Sequence, residues 1–134
     1  MHSILKISEG AAIALHAADY LAGREGLSSA AGIAKALGVS YNHLSKVLQQ
    51  LTRAGLVAPT RGPKGGFALS PAGKKAKVRG ILSVIDGPKA TGTCLMKSKV
   101  CGRRECLFGG FLAETNKRFE AVLNGRISEL SGRK

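Results

Sequence analysis

No tryptophan occurs in this chain, and its aromatic residues are four Phe and two Tyr, 4% of the total. A core without large rings must be built from Ala, Leu, Ile and Val, which favours packed helices. Acidic residues are scarce as well. Eight Asp and Glu stand against 21 Lys and Arg, a net charge of +13 with a sequence pI near 10.3. Such a field attracts polyanions, nucleic acid above all, although ribosome-associated and membrane-surface proteins share it. No segment approaches 18 uninterrupted apolar residues, which speaks against a membrane-spanning helix. The opening Met-His-Ser-Ile-Leu-Lys lacks the basic, apolar, small order of a signal peptide, so a cytoplasmic location is expected. There is no Gly-rich phosphate loop in strand-turn-helix context, no carboxylate pair at a plausible cleft and no nucleophile with a local base. Enzymatic activity is therefore not expected.

What is present is organised along the chain. At 134 residues there is room for one good core with an extension, but not for two large domains. The excess positive charge sits late: residues 1–70 carry seven Lys or Arg against three acids, residues 71–134 fourteen against five. Residues 4–22 place Ile7, Ala11, Ala14, Leu15, Ala18, Leu21 and Ala22 in the stripe of an amphipathic helix that ends at Gly23. Glu9 and His16 lie on it. A short helix follows, with Ser28 or Ser29 as N-cap, Ala30, Ile33, Ala34 and Leu37 on one face, and Gly38 at its end. A second begins at Ser40 and repeats Leu44, Val47, Leu48 and Leu51 before Gly55 closes it.

Two short helices joined by a Gly-containing three-residue turn predict a helix-turn-helix, in which the second helix enters the major groove of DNA. The polar face of that helix carries Ser40, Tyr41, Asn42, His43, Ser45, Lys46, Gln49, Gln50 and Arg53, side chains able to read base edges or clamp phosphates. An ordinary helical hairpin with a solvated face would look similar. The next stretch favours the first reading: residues 56–70 predict two short strands joined by a Gly/Pro-rich tip with Arg61 and Lys64, a basic wing. Lys74, Lys75, Lys77 and Arg79 could lengthen the phosphate footprint. Val78, Ile81, Leu82 and Ile85 then predict a helix that stops at Gly87-Pro88.

All three cysteines fall in one basic loop, Cys94, Cys101 and Cys106, with six and then four residues between them. The spacing matches no tight zinc pair of the C-x2-C kind. Three thiols near Lys97, Lys99, Arg103 and Arg104 favour the thiolate form and suit soft metal chemistry, a zinc site, an iron-sulfur cluster or thiol redox chemistry. A four-ligand site must borrow its last ligand from outside the loop. Beyond it, residues 107–124 predict a helix of about 18 residues bearing Phe108, Phe111, Leu112, Thr115, Phe119, Val122 and Leu123. So much apolar surface predicts a partner, most economically a second copy in a two-fold dimer, with two recognition helices on a pseudo-palindromic site.

At Ile7-Ser-Glu9-Gly, at Ser40-Tyr41-Asn-His-Leu44-Ser-Lys46-Val-Leu, at Ala54-Gly-Leu-Val57, at Arg61-Gly-Pro-Lys-Gly-Gly-Phe67-Ala-Leu69 and at Ile85-Asp-Gly-Pro88, the chain resembles the Rrf-two family of winged-helix transcription regulators. The resemblance implies a mainly α fold with a small β-wing: a winged helix-turn-helix DNA-binding domain over residues 1–88, a cysteine-rich cluster-binding loop over 89–106, and a dimerisation helix with a C-terminal tail over 107–134. It implies a homodimer that binds double-stranded DNA and carries an iron-sulfur cluster, [2Fe-2S] or [4Fe-4S], on Cys94, Cys101 and Cys106. Family members commonly leave five residues between cysteines, where this chain leaves six and four. Some place a His three residues after the last cysteine, a position held here by Gly109. Others take a carboxylate from the first helix of the partner subunit, and the matching position is Glu9, with His16 as second choice for the fourth ligand. A thiol or zinc regulator without a cluster, and a basic winged module for RNA or the ribosome, are the competing readings.

Overall fold

The computed structural model describes residues 6–88, 108 and 110–131. Four of its helices begin on a serine with an extended backbone whose hydroxyl accepts an amide hydrogen bond three residues on. Ser8 caps α1 (Glu9–Ala22), Ser29 caps α2 (Ala30–Leu37), Ser40 caps α3 (Tyr41–Arg53), and Ser70 caps α4 (Pro71–Lys75), at 3.0 to 3.1 Å. Each such cap satisfies one orphan amide and is worth about 1 kcal/mol. Helix α4 is not among the elements expected from the sequence, where its lysines read as a charge run; a proline at its first position and Ser70 before it start the turn.

Helix α1 lies at the centre, and four of its six buried residues are alanine, the others being Ile13 and Leu21. Ala11, Ala14 and Ala17 are completely buried and Ala18 almost so. With no side chain beyond Cβ, they let α3 and α5 (Val78–Asp86) come close on two sides. The remaining core is aliphatic, as the missing aromatics require: Ile33, Leu44, Leu48, Leu51, Ile81 and Leu82 are at most 1% exposed. Each buried side chain of that size contributes about 1.5–3 kcal/mol. The turn between α2 and α3 is set by Gly38, whose φ of 68° is a left-handed conformation that a branched side chain resists.

Strands β1 (Val57–Thr60) and β2 (Gly66–Leu69) pair antiparallel, from Val57 opposite Leu69 to Thr60 opposite Gly66. Ser28 adds a bridge on the far side of β2: its N–H donates to the Phe67 carbonyl at 3.0 Å and its carbonyl accepts from the Phe67 N–H at 2.8 Å. The segment entering the helix-turn-helix is thereby fastened to the wing.

Helix α6 (Phe111–Leu123) has 13 residues, fewer than the 18 expected from the apolar stripe. Gly110 takes the N-cap position and Phe108 lies in a turn; glycine is unfavourable inside a helix by about 1 kcal/mol. The chain then returns to α1 and the start of α5. Val78 N–H donates to Gly125 O at 2.9 Å in a bridge between Lys77 and Arg126, and α7 (Ile127–Ser131) packs on α1. Leu123 and Ile127 are fully buried in the same core as α1, α3 and α5. Mainly helical, with one small two-stranded wing among the described residues, the architecture is the winged helix-turn-helix expected from the sequence.

Candidate nucleic-acid interface

Helix α3 has two unlike faces. Leu44, Val47, Leu48 and Leu51 point inward and are at most 1% exposed. Of the predicted contact residues, Ser40, Tyr41, Asn42, Lys46 and Gln49 are exposed, whereas His43, Ser45 and Gln50 are half-buried. Tyr41 is notable as a large ring 55% open to solvent at the helix start. The Ser40 hydroxyl is engaged as a cap on the His43 amide, so its free capacity is one donor and a remaining lone pair.

The wing places Arg61 and Lys64 at its tip, exposed and without an ion-pair partner among the described residues. Lys46 is in the same condition. The physical reason is a feature of the sequence that a simple charge count hides: from Gly26 to Ile85 there is no Asp or Glu, while Lys35, Lys46, Arg53, Arg61, Lys64, Lys74, Lys75, Lys77 and Arg79 all fall in that span. Helix-turn-helix, wing and α4 thus contain cations and no acid of their own. Such a surface concentrates phosphates without competition from its own carboxylates. One of these cations is diverted. Arg79 pairs with Glu120 of α6, at about one-third side-chain exposure for both, so it is not a free phosphate contact.

A second group of residues gathers where α1 begins and α5 ends. Ser8 N–H donates to Asp86 Oδ2 at 3.0 Å, and the Ser8 hydroxyl bonds Asp86 Oδ1. Glu9, the next residue, is exposed, and its carboxylate has no partner among the described residues. His16 lies seven residues further, about 10 Å along the axis. It is exposed beside a recess of about 120 Å³ lined by Ile13, Leu37 and Val39. The predicted ligands Cys94, Cys101 and Cys106 lie outside the described residues. Among the described residues no three His, Cys, Asp or Glu are grouped to hold a metal. The Glu9 carboxylate is uncommitted among the described residues, and its neighbour Ser8 is tied to Asp86, two residues before Pro88.

Comparison with known proteins bears on the whole of this arrangement. A family model described as Rrf2, iron-dependent transcriptional regulator, matches residues 7–127. The HTH-type transcriptional regulator IscR of Aliivibrio salmonicida is 30% identical over 113 residues, which cover 84% of this chain and 64% of that protein. The IscR of Photobacterium profundum is 28% identical over 131 residues, covering 90% and 73%. The match therefore spans just under two thirds of the first of these relatives. Among solved structures, CymR, described as the global cysteine regulator of B. subtilis, superposes with a TM-score of 0.75 at 24% identity, covering 98% of this chain and 99% of that one. The IscR of T. potens gives 0.67 at 24% identity, covering 98% and 90%. These two likenesses bear on the fold.

Proposed function

The chain belongs to the Rrf2 family of transcriptional regulators, and from that premise we propose that it acts as a homodimer on a pseudo-palindromic operator, with an iron-sulfur cluster that adjusts its DNA binding. The family is one of regulators and not of enzymes. The observation that carries the DNA reading is the acid-free span from Gly26 to Ile85, in which Tyr41, Asn42, Lys46 and Gln49 of α3 and Arg61 and Lys64 of the wing are each exposed. Helix α3 reads base edges in the major groove and the wing grips the flanking backbone. Ser40, Ser45 and Gln50 complete the contact set.

The dimer reading is supported by α6. Phe108, Phe111 and Val122 are 52%, 62% and 50% exposed, and the two Phe rings meet edge to face with centroids 6.3 Å apart. Aromatic side chains left so open are what a second copy would cover.

Cys94, Cys101 and Cys106 would hold the cluster, with Glu9 as fourth ligand and His16 as the substitute. A cluster so bound supplies a centre whose charge and integrity respond to oxidants, nitric oxide and iron-sulfur supply. A carboxylate holds iron less firmly than a thiolate, which suits a sensor better than an electron carrier. No helix among the described residues is long and apolar enough to cross a membrane, and a cytoplasmic regulator is the reading in keeping with the family.

The test is anaerobic purification with a visible spectrum and iron and sulfide counts, repeated on Glu9→Ala, together with DNA affinity before and after cluster removal. A brown protein whose cluster is lost faster in Glu9→Ala, and whose DNA affinity changes with the cluster, is the expected result. A colourless protein containing zinc, or one with equal DNA affinity in both states, would replace the iron-sulfur reading. Preference for structured RNA over every duplex would remove the DNA reading.

A further inference from the structure

Recognition helix α3 is held by more than its aliphatic stripe. His43 sits on its first turn, between the exposed Asn42 and the buried Leu44, and is itself half-buried. Its ring is drawn towards α1. A Cβ placed on Gly10 would lie 3.6 Å from His43 Nε2, 3.2 Å from Ile85 Cγ2 and 3.9 Å from Ser8 Oγ. Three helices therefore meet over one glycine: α1 contributes a bare backbone, α3 an imidazole, α5 an isoleucine. The fit is close: a methyl group at position 10 would touch the imidazole at ordinary contact distance and crowd Ile85. The same corner is closed by Ser8 and Asp86, which join the start of α1 to the end of α5.

We propose that His43 is a positioning residue, through which the α1–α5 corner sets the pose of the recognition helix, and not a base-reading one. The proposal rests on α3 being the recognition helix. A half-buried ring turned towards Gly10 of α1 is directed away from a base edge, whereas Tyr41 and Asn42, its neighbours on the same turn, are exposed. Because the amino-terminal residues of a recognition helix make the base contacts, a small tilt at His43 displaces the whole reading set. Any event that loosens the Ser8–Asp86 tie is then felt at the DNA through this packing contact.

The experiment starts from the duplex that the full chain enriches from a randomised pool. Affinity is measured as the ratio between that duplex and a scrambled one of equal length at fixed salt, so that a change of net charge cancels. His43→Ala is expected to lower the ratio about tenfold while the selection, repeated with the variant, returns the same consensus. His43→Gln, which refills much of the slot, is expected to recover most of the loss. Asp86→Asn is expected to lower the ratio in the wild-type background and to add little in His43→Ala, the non-additivity of groups acting through one contact. A consensus altered at a single base pair in His43→Ala would make His43 a reader and overturn the proposal, as would full multiplication of the His43 and Asp86 effects. Melting curves show whether each variant folds; should His43→Ala not fold, His43→Asn, which fills less of the slot than His43→Gln, carries the same consensus and coupling tests. A wild-type chain that enriches no duplex would instead overturn the DNA reading on which the proposal stands.

Discussion

Arg79 of α5 and Glu120 of α6 form an ion pair across 41 positions of sequence. It fastens α6, whose Phe111 and Val122 are largely exposed, to α5, and it places a carboxylate beside Arg79.

Breaking that pair should cost little stability. Both side chains are about one-third exposed, so Glu120→Gln is expected to lower stability by about 1 kcal/mol or less, read as a shift of the melting temperature by a few degrees. The sharper consequence concerns DNA: with the Glu120 charge removed from beside Arg79, affinity for scrambled duplex at low salt should rise. Unchanged non-specific binding in Glu120→Gln would mean that Arg79 does not lie near the DNA path.

The cations without acids should be legible in the salt dependence. Each of Lys46→Ala, Arg61→Ala and Lys64→Ala is expected to reduce the slope of log affinity against log salt by about one for every phosphate that the side chain engages. Lys35, further back on α2, is the control. Equal slopes for all four variants would argue that the attraction is a diffuse field and not a defined set of phosphate sites.

Ser40 has two separable roles. Ser40→Ala removes the cap from the His43 amide and should cost about 1 kcal/mol in chemical denaturation. Ser40→Asp keeps a capping oxygen and should restore the stability, yet it introduces the only acid of the span from Gly26 to Ile85. Its DNA affinity is expected to fall below that of Ser40→Ala. The reverse order would remove Ser40 from the interface.

Phe111 tests the dimer. It is 62% exposed in the single chain, so Phe111→Lys should leave helicity and the monomer's melting behaviour largely intact while sedimentation shifts towards monomer. DNA affinity should drop with it, since two linked half-sites bind more tightly than one. A Phe111→Lys protein that remains dimeric at micromolar concentration would place the interface elsewhere.

How far the molecule can be read from its residues differs from element to element. The stripes at Leu44, Val47, Leu48, Leu51 and at Val78, Ile81, Leu82 mark α3 and α5, because a helical period is written in neighbouring residues. Serine caps at 29 and 40 and the αL glycine at 38 set boundaries for the same reason. The C-terminal apolar run suggests too long a helix, since its stripe continues through Phe108 while Gly110 interrupts the backbone that would carry it. Helix α4 is hard to see because Gly73, Lys74 and Lys75 read as spacer and charge, and only Ser70 and Pro71 mark a start. The polar face of α3 reads as one set in the sequence, and the fold divides it into exposed Tyr41, Asn42, Lys46 and Gln49 and half-buried His43, Ser45 and Gln50.

By itself, then, the amino-acid order determined the helices, the wing, the aliphatic core and the unneutralised positive charge, all of which follow from local period, composition and the chemistry of single residues. Tertiary structure alone decided which polar groups are spent inside the fold. Asp86 meets Ser8 across 78 positions, Arg79 meets Glu120 across 41, His43 turns to Gly10, and the last helix returns to α1. No local pattern encodes such meetings, because they depend on how whole helices lie against one another after their apolar faces have been buried.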